Sequence, residues 1–156
     1  MKKIIVLAAL IFGFSIAASA QPRAIGLRVG TSGEISYQHS MGLNFIEVNA
    51  GLNMNALEEM TSGLVATGIY NFMIAQPQWT DRGEWGFYAG PGAAIGLEVG
   101  EVNSFVVGAA GMAGLEYTFW FPLQLSVDYR MHLGFRTGEN PIWAAPHMAL
   151  TARYRF

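Results

Sequence analysis

Apolar and polar residues alternate along most of this chain, and the alternation runs longest near its end. From Leu123 to Phe135 the odd positions read Leu, Leu, Val, Tyr, Met, Leu, Phe, and the even positions Gln, Ser, Asp, Arg, His, Gly. A period of two is that of a β-strand. The core strand of a soluble sandwich does not need seven apolar positions in a row, whereas about a dozen tilted residues cover the apolar band of a bilayer. The last segment repeats the pattern. Met148, Leu150, Ala152, Tyr154 and the terminal Phe156 alternate with His147, Ala149, Thr151, Arg153 and Arg155.

Eight such segments, separated by turn chemistry, are read at 23–31, 34–41, 43–52, 63–74, 84–97, 104–119, 123–135 and 144–156. The fifth sets Trp85, Phe87, Ala89, Pro91, Ala93, Ile95 and Leu97 on one face, and the sixth Phe105, Val107, Ala109, Ala113, Leu115, Tyr117 and Phe119. Their opposite faces are small: Gly86, Gly90, Gly92, Ala94 and Gly96, then Gly108, Ala110 and Gly114. Small residues on one wall of a narrow barrel make room for large ones opposite, here Tyr88, Arg130, Arg153 and Arg155. Pro91 predicts a bulge, because it lacks the N–H a ladder needs. The first segment alternates cleanly, with Ile25, Leu27 and Val29 against Gly26, Arg28 and Gly30. In the third, Phe45 and Glu47 share a parity, which predicts a switch of face near its start. In the fourth, Leu64, Ala66, Tyr70, Phe72 and Ile74 are read as outward.

Hydrophobic residues make up 52% of the chain, yet past residue 20 no apolar stretch reaches helix-spanning length. In hydrocarbon a closed barrel is then the way to satisfy every backbone N–H and C=O. The expected fold is all-β, an eight-stranded antiparallel up-and-down transmembrane barrel. Loop lengths orient it: 31–33, 54–62, 98–103 and 136–143 outside, with turns near 41–42, 75–83 and 120–122 inside. Aromatic residues support two girdles. Tyr70, Phe72, Trp85, Phe87, Tyr117, Phe119, Tyr154 and Phe156 fall at the inner end, and Phe105, Phe135 and Trp143 at the outer.

The amino-terminus agrees. Lys2 and Lys3 precede an apolar run ending in Ala18-Ser19-Ala20, so residues 1–20 read as a signal peptide cleaved after Ala20 and residues 21–156 as the barrel domain. Without Lys2 and Lys3 the nine cations become seven arginines against eleven acids, a net charge of −4. That disfavours nucleic acid as a partner, which needs a basic patch. The absence of cysteine removes disulfides and thiolate metal sites.

Five stretches carry a resemblance: residues 63–70 (GLVATGIY), 86–96 (GFYAGPGAAIG), 114–119 (GLEYTF), 122–130 (PLQLSVDYR) and the ending Tyr154-Arg155-Phe156. Here the chain resembles small OmpX/OmpA-type outer-membrane β-barrel proteins. The resemblance implies export, outer-membrane lipid as the surroundings, and insertion by the outer-membrane assembly machinery. Leu150, Tyr154 and Phe156 match the terminal signal that this machinery reads. It also implies a non-enzymatic role in adhesion, membrane integrity or loop-mediated binding of an extracellular ligand, and a monomer.

Candidate chemistry lies on the lumen parity: Arg28, Glu47, Glu116, Asp128, Arg130, Arg153 and Arg155, with His132 nearby. Eight strands leave a lumen just wide enough for side chains, so these charges are expected to pair into a structural plug. A selective channel or proton-linked gate is the alternative. A third possibility is a secreted, lipocalin-like barrel holding an apolar ligand, in which the apolar parity faces inward. Hydrolytic chemistry needs a base beside a hydroxyl. His39 and Ser40 are strand neighbours and diverge, and Ser126 is about 20 Å along the strand from His132; Ser104 is the nearest candidate across the hairpin. No catalytic, cofactor or metal site is assigned: three scattered histidines lack ligand spacing, and Glu58-Glu59 and Glu98…Glu101 read as solvated loops. Met54, Leu57 and Met60 could form one apolar face of a helical turn capping the outer mouth.

Overall fold

The computed structural model describes residues 22–53, 62–99, 103–138 and 142–156. They form eight strands: β1 Arg23–Gly30, β2 Ser32–Met41, β3 Asn44–Asn53, β4 Ser62–Ala75, β5 Glu84–Val99, β6 Ser104–Thr118, β7 Leu123–Arg136 and β8 Ile142–Arg155. Each pairs antiparallel with the next, and β8 returns to β1 through pairs such as Leu27 with Ala152, so the sheet is a closed up-and-down barrel. Closure leaves no edge to cover. The expected signal peptide of residues 1–20, with Ala18 and Ala20, and the expected cap at Met54, Leu57 and Met60 lie outside the described residues.

Parity does what alternation requires. Leu27, Leu64, Leu133, Met148 and Leu150 are each more than half exposed on the outer surface, while Arg28, Glu47, Asp128, Arg130 and Arg153 are buried. The interior carries most of the charged and polar side chains of the strands, and the outside is apolar. That arrangement overturns the lipocalin-like alternative, whose apolar face must line the inside.

Two places depart from the expected strand geometry. Pro91 causes no bulge. Ile69 pairs with Gly92 and Phe72 with Ala89 in one register, and the β5–β6 ladder runs through Pro91 and Gly111 without a shift. Gly90, which precedes Pro91 on β5, lets β4 come close at this point: a Cβ there would collide with the Tyr70 carbonyl. The register shifts instead between Met73 and Ala75, next to the turn. Nor does β3 switch face. Phe45, Glu47 and Asn49 all point inward, and Phe45 meets Tyr88 edge-on at 5.1 Å between ring centroids.

Phe45, Ile69, Tyr88, Ala110 and Met112 pack into an apolar cluster on the β3–β6 side of the lumen. A second cluster holds Ala94, Val106, Trp143 and Ala145. Trp143 is therefore lumenal, stacked on His132 at 5.0 Å, and does not belong to an outer girdle. The small parity of β5 and β6 serves near neighbours more than the distant arginines. Gly114 leaves room for the Tyr88 ring, and Gly92 and Gly108 let adjacent strands come close.

At the end bearing both described termini the outward rings form a connected belt. Trp79 touches Trp85 and Phe87, Trp85 touches Tyr117, and Tyr117 leads through Phe119 to Trp120 and Phe121. The β2–β3 turn there is the two residues Gly42 and Leu43, and Gly42 takes the positive φ of 73° that the tight hairpin needs.

Candidate functional site

Three guanidinium groups and three carboxylates meet inside the barrel. Arg28 of β1 donates from Nε (3.1 Å) and Nη2 (2.5 Å) to Oδ1 of Asp128 on β7. Its Nη1 reaches Glu34 Oε1 at 3.4 Å and Ser32 Oγ at 3.3 Å. Arg130 donates from Nη2 to that same Glu34 oxygen, and Ser32 Oγ donates to it at 2.6 Å. One carboxylate oxygen thus holds two arginines together.

The second knot lies lower in the lumen. Arg153 of β8 donates to Ser36 Oγ and Ser126 Oγ, both at 2.9 Å. Its Nη2 stands 2.7 Å from Glu47 Oε1, an ion contact whose angle is not that of a hydrogen bond. Glu47 also accepts from Asn49 Nδ2 at 3.0 Å and Ser36 Oγ at 3.3 Å. All six charged groups are at least nine-tenths buried. Such groups persist only when paired and hydrogen-bonded, which the serines, Asn49 and Thr151 help to achieve.

The sequence-derived residues divide accordingly. Arg28, Glu47, Asp128, Arg130 and Arg153 come together. Glu116 is buried apart from them and accepts from Gln38 Nε2 at 3.3 Å. Arg155 is only half-buried, at the mouth of the lumen, so it does not join the plug. Leu150, Tyr154 and Phe156 are exposed on the outer face. Glu34 was missed, although Glu34, Ser36 and Gln38 alternate with Ile35 and Tyr37 as legibly as any strand here.

His132 is not beside Ser104, which neighbours Gly138 instead. Its Nε2 lies 3.1 Å from Thr67 Oγ1 on β4, and its ring meets His147 at 5.0 Å. A histidine beside a hydroxyl has the outline of a base and nucleophile. Here His132 and Thr67 are enclosed by the barrel wall, at 0% and 2% exposure. The contact orders the lumen and orients the ring against Trp143.

No protein-family model matches the chain. No curated protein sequence matches it either. Among solved structures, it is similar to neisserial surface protein A, with a TM-score of 0.56 over 87% of this chain and 94% of that one, at 12% sequence identity. That likeness shows the fold. At such low identity the lumen residues carry over from neither protein to the other, and the chemistry rests on the contacts above.

Proposed function

We propose that this chain is an outer-membrane protein of the OmpX/OmpA type with a non-enzymatic structural or surface-interaction role. It is exported by the signal in residues 1–20 and inserted by the assembly machinery that reads Leu150, Tyr154 and Phe156. One observation supports this reading above the others: large apolar side chains are exposed on all eight strands, from Leu27 on β1 to Leu150 on β8. A protein surrounded by water rarely exposes a continuous apolar girdle of that extent. The aromatic belt at one end supports it further, since such rings suit the level of lipid headgroups.

A dense plug of paired charges favours a stabilising barrel over a conducting pore. The loops at the far end then carry the interaction with an extracellular ligand, and the barrel, a monomer, anchors them in lipid. No cofactor or metal is required for this role. The test is direct. After membrane fractionation the protein should sediment with the outer membrane and migrate differently on a gel before and after boiling. Recovery in the soluble fraction with unchanged mobility sinks the proposal.

A further inference from the structure

Below the plug, at the end bearing both termini, the lumen widens into a cavity of about 310 Å³. That is the small end of the range for ligand sites, about 300–1,000 Å³. Its walls are charged with opposite sign. Arg155 on β8, with Arg23 on β1, lines one side; Glu84 on β5 and Glu116 on β6 line the other. In a closed ring of eight strands, β1 and β5 lie four strands apart, across the lumen.

Neither Arg155 nor Glu84 forms an ion pair or side-chain hydrogen bond among the described residues, although the charge of Arg155 is felt by Glu116 through space, so an occupant would compete only with that longer-range attraction. Glu116 is 7% exposed and is held by Gln38. Gln124 is 4% exposed, lines the same cavity, and its Oε1 has no hydrogen-bond partner. A buried amide oxygen without a partner is costly, and a donor entering the cavity would satisfy it.

We propose that this cavity binds a small zwitterion of the size of an amino acid or dipeptide. Arg155 receives the carboxylate in a charge-assisted, fork-shaped contact. Glu84 and Glu116 receive the ammonium group, and Gln124 accepts an N–H from the ligand between them. A ligand with only one charge leaves the opposite wall unmatched. The cavity is lined by inward side chains of the strands together with the turn residues Gly42 and Leu43 at its mouth.

The experiment is a titration of the full barrel in detergent micelles, followed by amide NMR. Three probes are compared: diglycine, N-acetyldiglycine without its ammonium group, and diglycine amide without its carboxylate. Diglycine should give saturable shifts centred on Gln38, Thr118 and Gln124. Each blocked peptide should bind roughly tenfold or more weakly, as expected on losing one charged hydrogen bond. Arg155→Gln and Glu84→Gln should each weaken diglycine by a similar factor. Both are rim residues, and an unchanged gel shift on boiling would verify that each variant is folded. No saturable shift with diglycine, equal binding of all three peptides, or unaltered affinity in both folded variants would overturn the proposal.

Discussion

Arg28 and Asp128 stand on strands separated by β8 and join across it at 2.5 Å, a contact between residues 100 positions apart. The pair ties the strand that opens the barrel to the strand preceding the one that closes it. Both side chains are completely shielded, so loss of Arg28 leaves the Asp128 charge with Thr151 alone at 3.5 Å, and loss of Asp128 leaves Arg28 with only its longer contacts to Glu34 and Ser32. Breaking such a buried pair costs about 3–5 kcal/mol, while replacing both members with apolar groups is often neutral or stabilising. Arg28→Met and Asp128→Leu should therefore each lower the urea midpoint of the detergent-folded barrel substantially. The double variant should recover most of the loss. Additive losses would mean that the pair is not an energetic unit.

Glu34 gathers Arg28 and Arg130 on one oxygen, whereas among the described residues Glu116 accepts from one neutral donor, Gln38. Glu34→Gln removes the charge facing two guanidiniums, so it should destabilise by several kcal/mol, about the penalty for stranding buried charge. Glu116→Gln should cost less than about 1.5 kcal/mol, the scale of an ordinary hydrogen bond. If Glu34 also holds the lumen shut, planar bilayers containing Glu34→Ala should show more frequent openings than the parent. Equal conductance in the two proteins would mean that the rest of the plug suffices.

How much of this was legible beforehand follows from what alternation encodes. Parity alone separates Leu123, Leu125 and Val127 from Gln124, Ser126 and Asp128, because adjacent side chains must leave a strand on opposite faces. It therefore carried the eight strands and the inward set Arg28, Glu47, Asp128, Arg130 and Arg153. Parity does not say how large an inward residue is allowed to be. Phe45 and Trp143 are aromatic yet inward, although the sequence predicts Trp143 in the outer girdle and a switch of face in the third strand beside Phe45. They fit because Tyr88 and Met112 surround one and His132 the other. Nor does it assign partners: that Glu34 pairs with Arg28 and Arg130 depends on barrel stagger, which no local pattern records. The unbroken register at Pro91 is likewise a cross-strand property, since its partner Gly111 lies on β6 and no local pattern records the pairing.

Two glycines on β6 differ in what surrounds them. A side chain at Gly114 would press on the buried Tyr88 ring, while one at Gly111 meets nothing within 4 Å. Overpacking a filled interior costs typically about 1–3 kcal/mol, and open surface positions change stability by less than about 0.5 kcal/mol. Gly114→Val should lower the unfolding midpoint and Gly111→Ala should leave it in place. Combining Gly114→Val with Tyr88→Leu should restore part of the loss by clearing the ring. Two equally stable single variants would show that Tyr88 can withdraw without cost.

The four tryptophans test which side of the wall is wet. Trp79 and Trp120 are exposed at 60% and 65% on the aromatic belt, and Trp143 is 2% exposed inside, against His132. In variants retaining one tryptophan each, lipids brominated near the headgroup should quench Trp79 and Trp120 emission strongly. Trp143 should be spared, since quenching needs close approach and the strand wall intervenes. Its emission should also lie to the blue and respond weakly to acrylamide, as for a ring packed among Ala94, Val106 and Ala145. Replacing His132 with Ala removes the stacked ring and a bond to Thr67, so Trp143 emission alone should shift. Strong quenching of Trp143 by brominated lipid, with Trp79 and Trp120 unaffected, would mean that the apolar face is turned away from the membrane and that the proposed location fails with it.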